Sequence, residues 1–286
     1  MSEDEYHSDP CPSPSLSASC AKTVIGKTLL HAWREHPKSP YKTKDRSSNK
    51  SDRGSAAHAV LFGGRIIIQI DAETWQTKAV KEARDNARDA GHIPLLAKEF
   101  PYIEEMVEIA GPRFDALHGG EPLCEVTALW QAASKGWRRA RLDSMSPDRR
   151  RIVDYKTTEA AVDALTCEKR IYSEGMHIQA AAYIEAVETL HPELMGRVEF
   201  VFQFQEQKPP FALSPPMVMP EAGLELGRQQ WERACALWDA AVKRNYFPAY
   251  TDQPHTACPP SWELTRWLER EQNDNTLNPE QIHERA

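Results

Sequence analysis

The feature that most constrains the fold is a run of three strand-like segments in the middle of the chain. Polar and apolar side chains alternate with period two over residues 123–131, 137–143 and 152–157, a pattern typical of β-strands. Ser146, Pro147 and Asp148 separate the last two segments and form a turn signal. The pattern therefore predicts a β-meander whose last two strands form a hairpin.

Helical periodicity flanks this meander on both sides. Apolar residues recur at helix-like spacing, with a predicted interruption near Gly111 and Pro112, over residues 23–36, 54–62, 74–90, 100–117, 171–190 and 221–245. Short strands are predicted at residues 66–70 and 198–205. The sum predicts an α+β fold in which helices flank a small mixed β-sheet.

The ends of the chain differ in composition from its centre. Residues 1–20 are rich in Ser, Pro and acidic groups and hold few large apolar side chains, which predicts a disordered N-terminal segment. A chain of 286 residues can hold one large domain or two small ones, and residues 21–270 are predicted to form one domain. Residues 271–286 are predicted to be a polar C-terminal tail.

The charge distribution limits the partners of the chain. The formal net charge is −7 and the isoelectric point is about 5.8, which argues against a broad nonspecific nucleic-acid coat. Local basic clusters lie at residues 42–53, 138–141 and 149–151, and two of them flank the predicted hairpin. These clusters either follow a phosphate backbone or are ordinary solvated surface.

Targeting and redox signals indicate a cytoplasmic protein. No run approaches the roughly 18 apolar residues of a membrane span, so no membrane partner is expected. A secretory signal has an apolar segment after its first residues, and the acidic N-terminus is not followed by one. The six cysteines include no C-x-x-C pair, so free thiols are expected rather than disulfides, a zinc site or an iron–sulfur cluster.

Two acids and a lysine on the predicted hairpin form the candidate site. Successive side chains of a strand point to opposite faces, so Asp154 and Lys156 are predicted to share one face. The hairpin would bring Asp143 beside them. Two carboxylates and an ammonium can hold a divalent metal ion and stabilise developing negative charge, as phosphodiester hydrolysis requires. Taken alone, an Asp-x-Lys pair on a strand is more often a surface ion pair.

The surrounding motifs resemble a known family. Asp143 followed by Asp154-Tyr155-Lys156 resembles the D…(D/E)-x-K core of the PD-(D/E)xK nuclease superfamily, whose fold is a restriction-endonuclease-like core. The pair Gln179 and Tyr183 resembles the Q-x-x-x-Y motif of the RecB-like branch. Two upstream stretches, residues 54–58 (Gly-Ser-Ala-Ala-His) and 125–130, resemble motifs of the exodeoxyribonuclease VIII (RecE-like) group. The resemblance spans roughly residues 23–268.

This resemblance implies a metal site. Mg²⁺, with Mn²⁺ as an alternative, would be held by Asp143, Asp154, the Tyr155 carbonyl and the imidazole of His58. Hard oxygen ligands of this kind are what Mg²⁺ prefers. Lys156 would orient or deprotonate the attacking water and offset charge on the scissile phosphate.

The resemblance also implies supporting roles around the metal. Gln179 and Tyr183, four residues apart on one helix face, would buttress the site and touch DNA. Glu125 is left with three alternatives: a second metal, an attacking water or a nearby basic group. Arg139 and Arg141 share the predicted strand face of Asp143, so they are candidate DNA phosphate contacts, with plain surface charge as the alternative.

The expected function follows from the same resemblance. It implies a metal-dependent exodeoxyribonuclease that digests linear double-stranded DNA from the 5′ end and leaves a 3′ single strand for phage or prophage recombination. The implied partners are double-stranded DNA ends, a single-strand annealing recombinase and further copies of the chain in a ring. The alternatives are an endonuclease or DNA-repair nuclease of the same superfamily, or a catalytically weak DNA-binding subunit.

Overall fold

The computed structural model describes residues 1–42, 49–132 and 134–277. The chain divides into two units, Met1–Ala249 and Tyr250–Ala286. In the described residues of the second unit lie the helix α10 (Ser261–Asn273) and a 3-10 turn at Asn275–Leu277. Part of the basic cluster at residues 42–53 and most of the predicted C-terminal tail lie outside the described residues.

The described part of the first unit contains both helices and strands. The helices are α1 (Glu3–His7), α2 (Ala18–Gly26), α3 (Leu29–Glu35), α4 (Asn49–Phe62), α5 (Lys78–Asp89), α6 (Phe100–His118), α7 (Ala164–Ser173), α8 (Met176–Leu190) and α9 (Glu221–Arg244). The strands are β1 (Leu16–Ser17), β2 (Ile67–Ile70), β3 (Ile93–Leu96), β4 (Leu123–Gln131), β5 (Trp137–Met145), β6 (Arg151–Thr158), β7 (Glu199–Glu206) and β8 (Met217–Val218). Short 3-10 turns lie at Ala97–Glu99 and Pro192–Leu194.

The first unit is built around a six-stranded mixed sheet. Strands β4, β5 and β6 pair antiparallel in sequence order, so the predicted meander and its hairpin are confirmed. Strand β7 lies parallel to β6 over eight residue pairs, and β8 continues antiparallel to β7. A second sheet pairs β2 and β3 in parallel, with α5 between them in sequence. The α+β fold with a mixed sheet flanked by helices is therefore confirmed.

The large sheet is covered on both sides by apolar clusters. One cluster joins the sheet to α2, α8 and α9 and includes Trp231 and Trp238. The other joins the sheet to α4, α6 and β3 and includes Phe62 and Phe114. Because each face packs against helices, the central strands are shielded from solvent on both sides.

Two predicted helices are each divided in the structure. The single helix expected over residues 23–36 is replaced by α2 and α3, because Thr28 caps the start of α3 by accepting the His31 N–H at 3.3 Å. The helix expected over residues 171–190 is divided into α7 and α8 at Gly175, whose φ of 66° lies in the left-handed region. The interruption predicted near Gly111 is absent, since α6 continues through Pro112.

The prediction of disorder for residues 1–20 differs from the structure. This segment forms α1 and then β1, which pairs in parallel with β5 through Leu16 and Ser17. Tyr6, Cys11 and Leu16 are buried, and the Trp238 indole donates to the Pro14 carbonyl at 3.1 Å. The partners of the segment are distant in sequence, so local composition does not reveal its order.

Within residues 1–42, 49–132 and 134–277, no helix is both long and apolar enough to cross a bilayer.

Candidate active site

The candidate site lies in a gap between β5 and β6. Strand β4 pairs with β5 along one edge over nearly its whole length. The other edge of β5 is shared, because β1 pairs there at Arg138 and Arg139 and β6 pairs only at Ser144 and Met145. Between these two contacts β5 and β6 diverge, and Asp143 lies where the ladder opens.

The Asp143 carboxylate fills this gap. Its Oδ2 accepts the backbone N–H of Tyr155 at 2.9 Å, so a side chain replaces a ladder hydrogen bond between the strands. Its Oδ1 lies 3.2 Å from Nε2 of His58. Burial raises the pKa of Asp143, but the His58 imidazole and the Lys156 ammonium outweigh it and hold that pKa below its usual range. Asp143 is therefore favoured as a carboxylate.

His58 reaches this carboxylate because α4 packs closely on β6. Ala56 and Ala57 are fully buried, and a Cβ at Gly54 would lie 2.3 Å from Thr157 Oγ1. Small residues at these positions let the helix approach the strand. The Gly-x-Ala-x-His spacing of the sequence is thus explained by packing, which places His58 over the gap.

Glu125 has an unusual backbone conformation. Its φ is 52°, a left-handed value that costs a non-glycine residue about 1 kcal/mol or more. The strand alternation changes there: Cys124 packs in the cluster with α4 and α6, while Val126 packs in the cluster with α8 and α9. Residues two apart in a regular strand would share a face. The distortion therefore redirects the side chains of β4 at this point.

The Glu125 carboxylate lies between two cationic groups. Its Oε1 is 3.3 Å from Nδ1 of His58, and its Oε2 accepts a hydrogen bond from Nε of Arg141. His58 consequently bridges Glu125 and Asp143. Burial lowers the pKa of His58, but these carboxylates raise it above its ordinary value. Of the three predicted alternatives for Glu125, the structure places it beside basic groups.

Asp154 and Lys156 share one side of β6, as period two predicts. Asp154 is 1% exposed, its Oδ2 accepts a hydrogen bond from Nε2 of Gln179 at 2.6 Å, and its Oδ1 forms an ion pair with Lys156 Nζ. Oδ1 accepts no hydrogen bond of regular geometry from the described residues. One buried carboxylate oxygen thus has unused acceptor capacity.

Burial dominates the electrostatics of this pair. It raises the pKa of Asp154 to about 6, with the Asp143 charge adding to the rise and the Lys156 charge opposing it. For Lys156, burial lowers the pKa, but the charges of Asp154 and Asp143 raise it overall. Lys156 is therefore held as an ammonium beside carboxylates whose negative charges are costly to bury.

Helix α8 brings the predicted Gln179 and Tyr183 to the site. Both side chains are largely buried, and Tyr183 lines the same cavity as Asp143 and Lys156. Burial raises the pKa of the Tyr183 phenol well above its usual value, so the group is a hydrogen-bond donor rather than a phenolate. Gln179 fixes the orientation of Asp154 through its amide.

The two predicted phosphate-contact arginines have different positions. Arg141 lines the cavity and donates to Glu125 and to Thr127 Oγ1 at 3.0 Å. Arg139 is buried elsewhere, with Nη1 2.6 Å from Ser15 Oγ and 3.2 Å from Asp9 Oδ2. The structure does not bring Arg139 to the cavity, because its guanidinium contacts Ser15 and Asp9 of the N-terminal segment.

Tyr155 contributes its backbone to the site and its ring to the core. Its amide donates to Asp143, while its phenol donates to Gln205 Oε1 and its ring packs at 87° to Phe114. Burial raises the pKa of this phenol. The side chain therefore anchors β6 to the cluster around α6, and only the backbone faces Asp143.

The donor set suits a divalent cation in its chemistry. Asp143 and Asp154 offer hard carboxylate oxygens and His58 an imidazole nitrogen, and the unsatisfied Asp154 Oδ1 has acceptor capacity for a cation. In the described residues these donors are engaged with one another and with Lys156, and no group of three or more His, Cys, Asp or Glu side chains is arranged as a metal centre.

The cavity above these residues has a volume of about 840 Å³. Its lining includes residues that the sequence did not single out, namely Glu3, Tyr6 and His7 of the N-terminal segment, Arg65 and Arg170. Arg170 carries a recognisable signal, because it lies about one turn after the buried Cys167 and next to the buried Ile171 of α7. The contribution of α1 has no local signal in the sequence.

Comparisons with known proteins agree with this architecture. The family model described as the PD-(D/E)XK nuclease superfamily matches residues 15–262. No curated protein matches the chain. A solved structure of a proposed exonuclease from Eubacterium rectale is 13% identical, with a TM-score of 0.59 over 96% of this chain and 98% of that one. A phage-related exonuclease from Haemophilus somnus 129PT is 12% identical, with a TM-score of 0.38 over 82% of this chain and 97% of that one. The similarity to the Eubacterium rectale structure concerns the fold alone.

Proposed function

Because the chain belongs to the PD-(D/E)XK nuclease superfamily, we propose that it is a Mg²⁺-dependent exodeoxyribonuclease that degrades linear double-stranded DNA. The observation that carries the proposal is the convergence of Asp143, Asp154 and Lys156, with His58 and Gln179, beside one cavity. The proposed direction is 5′ to 3′, which leaves 3′ single-stranded ends for recombination of the phage or prophage type. Exonuclease action and direction rest on the motif resemblance at residues 54–58 and 179–183.

The proposed cofactor is Mg²⁺, with Mn²⁺ as an alternative. Nucleases of this superfamily typically use divalent metal ions. Asp143, Asp154, the Tyr155 carbonyl and His58 would hold the ion. When bound, it supplies positive charge that polarises the scissile phosphate.

The chain's own residues would position and activate the water. Lys156 keeps its ammonium beside Asp154, so it can hold the attacking water and offset charge on the phosphate. Gln179 fixes one oxygen of Asp154, and the other oxygen faces the Lys156 ammonium. Glu125 and His58 together orient Asp143. Glu125 is thus proposed as a positioning residue rather than as a ligand.

The proposed partners are DNA ends, a single-strand annealing recombinase and further copies of the chain in a ring, in the cytoplasm. The net charge of −7 requires that DNA meet a locally basic surface. Arg141, which lines the cavity, is the proposed phosphate contact. Arg139 is not proposed for that role, because its side chain is buried against Asp9 and Ser15.

The proposal is tested by digestion of linear duplex DNA labelled at either the 5′ or the 3′ end, with covalently closed circular duplex beside it. We expect Mg²⁺-dependent loss of the 5′ label from linear DNA only. Asp154→Asn and Lys156→Met are expected to lower the rate by about 100-fold or more. Matched controls are Asp71→Asn and Lys78→Met, whose side chains are exposed and whose activity is expected to be unchanged.

Other outcomes would identify the alternatives. Full activity in the Asp154 and Lys156 variants would contradict the site assignment. Cleavage of closed circular DNA would indicate an endonuclease or repair nuclease of the same superfamily. Binding of DNA without product at any divalent metal would indicate a DNA-binding subunit.

A further inference from the structure

Two cations on the helical side of the cavity have no role in the proposed chemistry. Arg170 belongs to α7 and lines the cavity together with Asp143. Lys22 belongs to α2, and Ser19, three residues before it, also lines the cavity. Residues three apart share a helix face, so Lys22 is directed to the same side of the site.

The Arg170 guanidinium is held close to Lys156. Its Nε donates to Glu174 Oε1 at 2.7 Å, and its Cζ lies 5.9 Å from the ring centroid of Phe204. Phe204 is the register partner of Lys156 across β6 and β7, and paired residues of adjacent strands point to the same face. Nη1 of Arg170 has no hydrogen-bond partner among the described residues, so the guanidinium retains donor capacity.

Lys22 lies over the junction of α7 and α8. A Cβ at Gly175 would be 3.3 Å from Cγ and Cδ of Lys22, so the apolar stem of the lysine covers this turn. Its ammonium forms no ion pair within the described part of the chain. Burial and the charge of Lys156 lower the pKa of Lys22, which agrees with an ammonium near the candidate site.

From this geometry we infer that Lys22 and Arg170 form a phosphate-binding subsite for the DNA strand that is cut. The inference rests on the proposed function, since it takes DNA as the ligand. A phosphodiester beside the scissile one offers charged oxygens that match a guanidinium fork and a free ammonium. Of the other cavity-lining arginines, Arg141 donates to Glu125 on the carboxylate side of the cavity, and Arg65 donates to the backbone carbonyls of residues 91 and 92.

The subsite extends the site on the side opposite to His58. The acidic group of Glu125 and Asp143 lies under α4, whereas Lys22 and Arg170 approach from α2 and α7. This separation of charge gives the bound DNA strand a preferred orientation. The scissile phosphate would lie at the carboxylates, and the adjacent phosphate would lie at Lys22 and Arg170. Lys22 and Arg170 are binding residues and do not touch the reacting atoms.

The experiment measures binding of a short linear DNA duplex to the full chain in EDTA over a series of KCl concentrations. The variants are Lys22→Met, which keeps the apolar stem, and Arg170→Met. Each is expected to weaken binding about 10-fold and to make the slope of log affinity against log salt shallower by about 0.7 to 0.9, as one lost phosphate contact requires. Arg170→Lys is expected to restore most of the slope.

Matched controls and the outcomes separate this inference from the proposed function. Lys27→Met and Arg233→Met remove exposed cations from the end of α2 and from α9, respectively, and are expected to leave the slope unchanged, with thermal melting as the check on folding. If the wild type hydrolyses DNA but the two subsite variants bind with an unchanged slope, the inference is wrong and the nuclease proposal stands. If the slope of log affinity against log salt becomes shallower in both variants while the wild type does not hydrolyse DNA with Mg²⁺, the subsite is supported and the nuclease proposal is wrong. Equal losses in the controls, or no DNA binding by the wild type, would overturn the inference.

Discussion

At the scale of single residues, the buried carboxylate of Asp9 fixes the N-terminal segment on the sheet. It accepts the N–H of Ser15 at 2.9 Å and the hydroxyl of Ser15 at 2.7 Å. His36 Nε2 and Arg139 Nη1 each lie 3.2 Å from its Oδ2. Burial raises the pKa of Asp9, but these partners outweigh it and hold the pKa well below its ordinary value.

We expect Asp9→Asn to destabilise the protein by about 3 kcal/mol at pH 7, because Arg139 would lose its buried counter-charge. The folded pKa of Asp9 lies below the unfolded value of 3.8, so the stabilisation is fully present above the unfolded pKa. It is lost as pH falls towards the lower folded pKa. Urea unfolding of both proteins should therefore show a smaller difference at pH 3 than at pH 7. A constant difference across this range, or an equal one in Asp71→Asn, would contradict the assignment.

Single residues also show what a sequence can reveal about a site. Asp143, Asp154 and Lys156 could be predicted to lie together because strand period and hairpin pairing are local properties. The left-handed backbone of Glu125 could not, since nothing in a Glu signals it. The burial of Arg139 could not be predicted either, because its partner Asp9 lies far away in sequence.

At the scale of elements, the position of α4 against β6 sets the position of His58. The approach depends on Gly54, where a Cβ would lie 2.3 Å from Thr157 Oγ1 and 2.9 Å from Gln207 Nε2. Real Cβ atoms do not come so close to other heavy atoms, so any larger side chain must either displace the Thr157 hydroxyl and the Gln207 amide or move the helix away from the strand. The consequence reaches the site because His58 is one turn further along the same helix.

We expect Gly54→Ala to lower the free energy of unfolding by about 2 kcal/mol, as overpacking does, and to reduce hydrolysis as His58 shifts. Gly111→Ala is the matched control, because it also lies inside a helix but nothing is within 4 Å of its Cβ position. Removing a helical glycine there should stabilise the protein by about 0.5 kcal/mol or more. Thermal melting and the digestion assay check both variants. A Gly54→Ala protein with unchanged stability and activity would show that the close packing is not required.

Elements differed in how well the sequence predicted them. The strands β4 to β7 have strong period-two patterns, and their existence and order could be predicted. Strand β1 could not, because two residues are too few for a pattern and its pairing with β5 spans more than a hundred residues. The division between α7 and α8 depends on the left-handed Gly175, which a helical pattern on both sides conceals.

At the scale of the whole molecule, every predicted site residue lies in the unit Met1–Ala249. The first twenty residues are polar in composition, yet Tyr6, Cys11 and Leu16 are buried in that unit. Composition alone therefore does not reveal that this end of the chain is folded, whereas the pairing of β1 with β5 does.

We expect two truncations to have opposite effects. Deleting residues 1–20 removes β1 and leaves Arg139 buried without Asp9, so Tm should fall by on the order of 10 °C. Ending the chain at Ala249 keeps the whole first unit, so its Tm should change by only about 2 °C and hydrolysis should persist. Differential scanning calorimetry measures both. An unchanged Tm after loss of residues 1–20 would restore the original expectation of a disordered segment.

The shared edge of β5 has a consequence for the shape of the site. The strands of an antiparallel hairpin commonly pair along their whole length. The pairing of β5 with β6 could therefore continue past Asp143 towards Arg139. Strand β1 pairs with this edge at Arg138 and Arg139, so β6 cannot pair with β5 at those two residues. The N-terminal segment thus keeps open the cleft in which Asp143 meets Tyr155, and the geometry of the candidate site depends on a strand that contributes no residue to it.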